Sequence, residues 1–201
     1  MSTDTYPVRF SVDYPDRPLD RVSTLFRIFA AIPIAIVLAS VAGGSERAAA
    51  AAGGALVAGP ALMLVFRRRY PRWWFDWNLE LSRFSSRVAA YLALLDDRYP
   101  STEDHQSVHL DFPYPNAATE LSQWLPLVKW FLAIPHYVVL CFLGIGAFGA
   151  VVIAWFAILL TGGYPRSLFD YVVGVMRWSV RVGAYAFLLV TDRYPPFRLD
   201  D

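Results

Sequence analysis

The sequence has little charge, one cysteine and one lysine. Charged residues make up 17% of its 201 residues, whereas soluble domains carry about 25%. The cysteine, Cys141, lies in an apolar run, which excludes a disulfide framework and a thiolate metal site. Because Lys129 is the single lysine, arginine supplies nearly all of the positive charge. The net charge of +1 gives no indication of a polyanionic partner.

Common catalytic motifs are also missing. The chain contains no Gly-x-Ser-x-Gly, no His-Glu-x-x-His, no phosphate-binding loop and no haem-binding cysteine pair, so we predict no catalytic residue and no cofactor. One stretch combines metal-ligand types: His105 and His109 with Glu103, Asp104 and Asp111. On a strand, positions four residues apart lie about 13 Å apart, too far to share an ion, whereas on a turn they could share one. A solvated loop without a metal is the favoured interpretation.

Long apolar runs dominate what is present. Apolar residues make up 56% of the chain and concentrate in four segments, at 22–42, 48–66, 125–143 and 146–161. About 20 apolar residues span a bilayer, and four buried core helices in so short a chain would have too little polar cover. The sequence therefore predicts an all-α integral membrane protein. Its four transmembrane helices form two hairpins, with outer turns at 43–47 and 144–146.

The chain matches itself at five co-linear places. The matched segments are Arg27–Pro33 with Lys129–Pro135, Tyr70–Arg72 with Tyr164–Arg166, Phe75–Trp77 with Phe169–Tyr171, Arg87–Tyr91 with Arg181–Tyr185, and Asp97–Pro100 with Asp192–Pro195. Such a pattern indicates an internal two-fold repeat. We predict two membrane units, 1–100 and 101–201, each made of a strand, a hairpin of spans, an amphipathic helix and an Asp-Arg-Tyr-Pro exit.

Two short strands are predicted on the cytoplasmic side. Apolar and polar residues alternate over 8–14 and again over 108–112, a period of two that is typical of a half-buried strand. A Tyr-Pro pair follows each run and stops it. Since a lone strand is not stable, we expect the two strands to pair with each other or with a neighbouring subunit.

Two amphipathic helices are predicted at about 73–95 and 167–190. In the first, an apolar stripe runs from Trp74 to Leu95 and a polar stripe from Asp76 to Arg87, and the second repeats the pattern. Aromatic residues on one face and arginine on another are typical of a helix that lies at the membrane–water interface.

Each amphipathic helix carries two arginines four residues apart: Arg83 and Arg87, then Arg177 and Arg181. Guanidinium groups bind phosphate oxygens in pairs, so these arginines are our candidate lipid-phosphate site. The competing interpretation is that they reach nonspecific lipid phosphates or pair with nearby carboxylates.

Arg27 and Lys129 lie near the cytoplasmic ends of the first and third predicted spans. A charge at the bilayer centre costs on the order of 3 kcal/mol, so we expect these membrane-interface charges to snorkel or to pair, and not to line an ion path. Pro33 and Pro135 follow six residues later and should kink both helices. His136 has no counterpart in the first unit, and a hydrogen bond between helices is its expected role.

The basic residues predict the orientation. Residues 1–27 hold four arginines, 67–98 hold seven and 166–198 hold five, which with Lys129 makes seventeen of the eighteen basic residues. Arg47, in a predicted outer turn, is the remaining one. The positive-inside rule then places both termini and the central segment in the cytoplasm.

The repeated Arg/Lys-aromatic-apolar-Ile-Pro stretch, the Tyr-Pro-Arg junction and the Asp-Arg-Tyr-Pro exit resemble a family of bacterial membrane proteins with a domain of unknown function (DUF4389-like). The resemblance covers nearly the whole chain. It implies tandem membrane units and carries over no catalytic residue. Together with the apolar segments and the distribution of arginine, it predicts a multi-pass protein of the bacterial cytoplasmic (inner) membrane.

Three classes of function remain. A membrane scaffold or accessory subunit ranks first, because few polar groups lie at mid-membrane depth to form a substrate path. A small transporter or lipid-handling protein ranks second, since two units of the same orientation also occur in carriers with parallel repeats. A membrane enzyme ranks last. The expected partners are membrane lipid and either a membrane protein or a second copy of the chain, with no nucleic acid.

Overall fold

A computed structural model describes residues 6–42, 62–102, 106–117 and 120–200. These residues are mostly helical and include a small sheet. The elements are β1 (Arg9–Val12), α1 (Arg21–Ala42), α2 (Arg72–Leu92), β2 (Val108–Asp111), α3 (Lys129–Leu132), α4 (Ile134–Thr161) and α5 (Arg166–Ala186). A 3₁₀ turn, Leu125–Leu127, precedes α3, and residues 62–67 are helical.

The two strands pair with each other. They are antiparallel, with Phe10 opposite Leu110, so the predicted pairing is confirmed and occurs within one chain. The inner face of the sheet buries the apolar residues of the alternation, while Arg9, His109 and Asp111 are exposed on the outer face. Because a two-stranded sheet is marginal on its own, its stability depends on the helices beneath it.

The strands are exchanged between the two halves of the sequence. β1, which belongs to the first half, packs on α5, and β2, which belongs to the second half, packs on α2. The inner residues Phe10 and Leu110 therefore share one apolar core with residues from both halves, including Leu95 and Phe169. The described chain forms a single folding unit around that core.

Helix α1 packs antiparallel on α2. Ile34 of α1 contacts Phe84 and Val88 of α2, and about two turns earlier in α1 the guanidinium of Arg27 lies 4.4 Å from the ring centre of Tyr91. Seven residues forward along α1 thus correspond to about seven residues back along α2.

Helix α4 packs on α5 in the same way. The indole N–H of Trp178 donates to His136 Nδ1 over 3.0 Å, and the hydroxyl of Tyr171 donates to the carbonyl oxygen of Leu143 over 3.0 Å. Moving forward along α4 again corresponds to moving back along α5, so these two helices are also antiparallel.

The elements form three layers. On α2, Arg83 donates to the Leu110 carbonyl of the sheet, while the next residue, Phe84, contacts α1. Adjacent helical residues point about 100° apart, so the sheet and α1 lie on different sides of α2. On α5, Arg177 reaches the sheet and Trp178 reaches α4. The order is sheet, then α2 and α5, then α1 and α4.

The predicted hairpin of spans at 125–143 and 146–161 is wrong. Residues 144–146 continue the single 28-residue helix α4, and the segment before it is the 3₁₀ turn followed by the short α3. A Cβ on Gly146 would lie 2.6 Å from the Tyr171 hydroxyl, so this glycine permits a close helix contact and makes no turn. Glycine inside an apolar helix is common in membranes.

Among the residues that the structure describes, two helices are long and apolar enough to cross a membrane. They are Arg21–Ala39, with a mean hydropathy of 2.2, and Ile134–Thr161, with 2.5. The predicted second span, 48–66, and the outer turn at 43–47 lie almost wholly outside the described residues. Pro33 lies inside the continuous α1, whereas Pro135 lies at the start of α4, where α3 and α4 are separated.

The two amphipathic helices form close to the predicted positions. They end at Leu92 and Ala186, three and four residues before the predicted ends at 95 and 190. Leu94 and Leu189 then take positive φ angles of 63° and 58°. The left-handed conformation is costly for a residue with a branched side chain, and here it turns the chain into each Asp-Arg-Tyr-Pro exit.

Candidate functional site

The first predicted arginine pair contacts the second strand and the loop before it. Arg83 Nε donates to the carbonyl oxygen of Leu110 over 2.9 Å, and its Nη1 lies 2.6 Å from the Glu80 carboxylate. Arg87 Nη1 donates to the carbonyl oxygen of Ser101 over 2.7 Å. Both side chains thus hold the backbone that leads into β2.

The second pair contacts the first strand and the end of the chain. Arg177 Nε donates to the carbonyl oxygen of Phe10, and its Nη1 donates to that of Leu199, both over 2.9 Å. Arg181 is only 2% exposed and donates to the carbonyl oxygen of Asp200 over 2.7 Å. These contacts tie β1 and the C-terminal segment to α5.

The two pairs contact different segments: Arg83 binds β2 and Arg177 binds β1. Each of the four residues gives at least one donor to a backbone carbonyl. Such bonds to a charged group contribute about 1.5–3 kcal/mol each. The lipid-phosphate role of Arg83, Arg87, Arg177 and Arg181 stays a prediction, and this geometry favours an anchoring role.

Lys129 is buried and paired. Its ammonium lies 2.7 Å from the carboxylate of Asp192, donates to the carbonyl oxygen of Thr191 over 2.6 Å, and lies 5.1 Å from the ring centre of Tyr185. Of the two expected alternatives, pairing is therefore the one observed.

Arg27, the counterpart of Lys129 in the first half, is also buried. Its Nη1 donates to the carbonyl oxygens of Tyr91, over 3.0 Å, and of Asp96. The guanidinium also faces the Tyr91 ring. A buried cation is stable only when such partners replace water, so Arg27 fixes the exit of α2 against α1.

The aspartates of the two Asp-Arg-Tyr-Pro exits accept hydrogen bonds from the segments that lead into the helices. Asp97 accepts from Arg17 over 2.6 Å and from the backbone N–H of Asp20 over 3.4 Å. Asp192 accepts from the backbone N–H of Ser122 over 2.5 Å. The motif thus closes each half onto its own entry segment.

Asp96 is a structural carboxylate beside the first exit. It accepts from Ser107 Oγ over 2.5 Å, and from the backbone N–H and Nε of Arg98 over 3.1 and 3.0 Å. Burial raises the pKa of Asp96, but these hydrogen bonds and the charge of Arg98 together outweigh it and hold the pKa below its usual value.

His136 lies in an aromatic cage. Besides the hydrogen bond from Trp178, its ring stacks on Phe197 with centres 4.0 Å apart and lies 4.8 Å from the ring of Tyr194. Because an N–H donor faces Nδ1, that nitrogen carries no proton. The predicted helix-packing hydrogen bond is confirmed, and the cage also holds the C-terminal segment.

A cleft of about 530 Å³ opens between α2 and α5, within the usual size range of ligand pockets. Its lining includes Asn78, Ser82, Ser86, Phe112, Gly183 and Phe187. Ser86 is 6% exposed, and its hydroxyl has no hydrogen bond with any residue that the structure describes. Asn78, also in the lining, donates to the carbonyl oxygen of Trp74 over 2.7 Å, so the cleft is mostly apolar with few polar groups.

The outer face of the sheet holds the described part of the histidine cluster. His109 Nε2 lies 2.9 Å from the carboxylate of Asp13 on the neighbouring strand. Within the described ranges, no group of three or more His, Cys, Asp or Glu residues could hold a metal ion. Residues 103–105 lie outside those ranges.

Two tyrosines that follow the strands have a structural role that the sequence pattern did not predict. Tyr14 donates through its hydroxyl to the carbonyl oxygen of Tyr164 over 2.5 Å, and Tyr114 donates to that of Tyr70. Tyr70 in turn donates to the carbonyl oxygen of Leu188 over 2.7 Å. The Tyr-Pro repetition after each strand was the available signal, but we had interpreted it only as a strand end.

Comparison with known families identifies the second half of the chain. Residues 126–198 match the model of the family described as Domain of unknown function (DUF4389). The DUF4389 match contains α3, α4, α5 and the second Asp-Arg-Tyr-Pro exit, so the resemblance found in the sequence is confirmed there. None of the curated proteins and none of the solved structures matches the chain. The description names no activity, so it assigns no functional residue.

Proposed function

We propose that the protein is an integral membrane scaffold or accessory subunit, which binds protein partners and anionic lipid at the cytoplasmic face. The observation that supports this proposal most strongly is the exposed apolar surface on the outer face of α4. Phe148 is 72% exposed and Leu160 78%, and Phe142, Ile145, Ile153 and Phe156 are exposed beside them. Contiguous apolar surface of this kind is rare on soluble monomers and marks a membrane or partner surface.

The inward polar residues support the same proposal. Lys129 is held by Asp192, His136 by Trp178, and Arg181 by the C-terminal backbone. A substrate path or catalytic centre needs polar groups that are free to act on a ligand. Here the strongest candidates stabilise the fold, which favours a structural role over transport or catalysis.

We also propose that the two halves form an internal repeat. Several contacts recur in equivalent positions: Arg83 to Leu110 with Arg177 to Phe10, Tyr14 to Tyr164 with Tyr114 to Tyr70, and the positive φ angles of Leu94 with Leu189. Two unrelated segments have no physical reason to share these details. On this proposal the family match would extend to the first half.

The proposed location is the bacterial cytoplasmic membrane, with both termini in the cytoplasm. The distribution of arginine supports it. The proposed protein partner is either another membrane protein or a second copy of the chain.

Co-purification from native membranes tests the proposal. The tagged chain is extracted with surrounding lipid in polymer nanodiscs, and the mass of the complex is measured by native mass spectrometry. A stoichiometric protein partner, or a dimer of the chain, is the expected result. A monomer that carries only lipid at every expression level would contradict the scaffold function.

One observation favours the second candidate, a lipid-handling protein: the cleft between α2 and α5 has the size and polarity to hold an acyl chain. A Cβ on Gly183 would meet nothing within 4 Å, and Gly183 lines the cleft, so Gly183→Leu places an apolar side chain there. Gly144→Leu is the matched control, since its Cβ position is equally open and lies outside the cleft. Selective loss of photo-crosslinking to a diazirine phospholipid in Gly183→Leu would support lipid handling, whereas equal labelling of both variants would contradict it.

A further inference from the structure

The outer face of the sheet is charged. Arg9 and Ser11 of β1 alternate with buried residues, and Asp13 continues the exposed row. His109 and Asp111 of β2 lie on the same face. Charged side chains are excluded from the hydrocarbon core of a bilayer unless they are paired within a bundle, so this face belongs in water.

The segment of residues 6–14, which contains β1, runs alongside α5 over most of the length of that helix. The ring centre of Tyr14 lies 4.9 Å from that of Phe169 near the start of α5. Phe10 accepts from Arg177 near the middle, and the hydroxyl of Tyr6 donates to the carbonyl oxygen of Arg193 beyond the end of α5. The chain from residue 6 to residue 14 is thus aligned with the helix axis.

Helix α4 is aligned with the same axis on the opposite side of α5. Its contacts with α5 run in antiparallel order through His136 and Leu143, and the apolar residues of its other face are exposed. The charged sheet, α5 and α4 therefore lie one above another, and the strand and the two helix axes are aligned. If α4 stood upright in a bilayer, the charged face of β1 would stand beside it within the hydrocarbon.

We infer that α1 and α4 do not cross the bilayer but lie in the plane of one leaflet, with the sheet in the water above them. α1 occupies the same layer as α4, because it packs on the side of α2 away from the sheet and meets α4 where the indole of Trp155 donates to the carbonyl oxygen of Thr24 over 3.2 Å. The partner surface is the hydrocarbon of a single leaflet, as for monotopic proteins. This inference rests on the proposed membrane location.

Charge and aromatic residues at the edge of α2 fit the same arrangement. Trp73 and Trp77 are exposed and lie on the face of α2 that carries Phe84, toward the layer of α1. Arg67, Arg69 and Arg72 are exposed next to them. Tryptophan and arginine at one level are typical of the headgroup region, and the arginines complement anionic headgroups.

The length of α4 makes the two orientations easy to separate. Its 28 residues extend about 42 Å at about 1.5 Å per residue. Four exposed positions follow one stripe of the helix: Val138, Ile145, Val152 and Leu160. In an upright helix, successive positions differ in depth by about 10 Å, whereas in an in-plane helix all four lie at one depth.

Spin labels at these four positions, in a Cys141→Ser background, test the inference. The protein is reconstituted into phosphatidylethanolamine–phosphatidylglycerol vesicles, and label depth is measured from relaxation by oxygen and by a water-soluble nickel chelate. Equal depth at the four positions, below the headgroups, is expected. Ser11→Cys on the sheet is the control that should be fully accessible to the chelate. A label on the native Cys141, which is exposed on α4, needs no substitution and should report the same depth.

Each other outcome has a distinct meaning. Depth that rises to a maximum near Ile145 and Val152 and falls at both ends would overturn the in-plane inference while leaving the membrane location intact. Chelate access at all four positions would overturn the membrane location itself. In intact cells and in the Cys141→Ser background, Gly144→Cys should resist a membrane-impermeant maleimide, because residue 144 lies mid-helix in the leaflet. Labelling of that cysteine from outside would restore the outer turn and overturn the inference.

Discussion

Replacing Gly146 by alanine gives a sharp test of the contact between α4 and α5. The new Cβ would lie 2.6 Å from the Tyr171 hydroxyl and 3.5 Å from the ring carbon that bears it. The first distance forces Tyr171 to move and removes its hydrogen bond to Leu143, while the second is ordinary van der Waals contact. The hydroxyl alone therefore decides whether the alanine fits.

The magnitude follows from three effects. Crowding in a packed contact costs about 1–3 kcal/mol, the lost hydrogen bond costs about 1 kcal/mol, and alanine in place of glycine gains about 0.5–1 kcal/mol in a helix. Gly146→Ala should therefore destabilise the protein by about 1–3 kcal/mol. In a Tyr171→Phe background the same change should stabilise it by about 0.5–1 kcal/mol, because only the helix effect remains.

The assay is a double-mutant cycle on reversible unfolding by dodecyl sulfate in mixed micelles. Gly144→Ala is the control, since its Cβ has no neighbour within 4 Å, and it should be neutral or slightly stabilising. Equal effects of Gly146→Ala with and without the Tyr171 hydroxyl would refute the packing argument. A large loss from Gly144→Ala would refute the continuous helix and return these residues to a turn.

Three further predictions concern the polar contacts. Lys129→Met should lower the free energy of unfolding by about 3–5 kcal/mol, because it leaves the Asp192 carboxylate without its buried partner. A loss below about 1 kcal/mol in the same assay would exclude a buried pair. The pKa of Asp96 is lower in the folded protein than its value of about 3.9 in an unfolded chain. The ionised carboxylate therefore stabilises the folded protein at pH values above about 3.9, and thermal stability should fall as the pH drops through this value toward the folded pKa. Asp96→Asn should flatten that dependence in melting curves between pH 7 and pH 3, and an unchanged pH profile would contradict the assignment. Tyr14→Phe should cost about 1 kcal/mol and speed amide exchange at Tyr164, whereas unchanged exchange would mean that the hydroxyl does not hold this junction.

Local patterns predicted most of the individual elements. The strands follow from alternation over 8–14 and 108–112, and α2 and α5 follow from apolar residues at helical spacing. These signals depend on neighbours in sequence, so no tertiary contact is needed to find them. The repeat of Tyr-Pro and Asp-Arg-Tyr-Pro also marked the residues that join the layers, although it did not reveal which atoms they bind.

Long-range contacts could not be predicted. The bond between Arg177 and the Phe10 carbonyl joins residues 167 positions apart, and no local property of either residue indicates the other. The failed hairpin has the same cause. Gly144 and Gly146 resemble turn residues in sequence, but Tyr171, far along the chain, gives Gly146 a packing role. Hydropathy likewise measures how apolar α4 is, and not whether a charged sheet lies parallel to it.

The exchange of strands between the halves has a consequence for biosynthesis. β1 is made before the other described elements, yet its partners are β2, about 100 residues later, and α5, the last described helix. The first half cannot complete its share of the core while the ribosome is still making the second, since Phe10 would lack Leu110 and the helix beneath it. Pairings between residues so distant in sequence form slowly. The nascent N-terminal segment must therefore wait, unpaired and partly apolar, until nearly the whole chain has emerged.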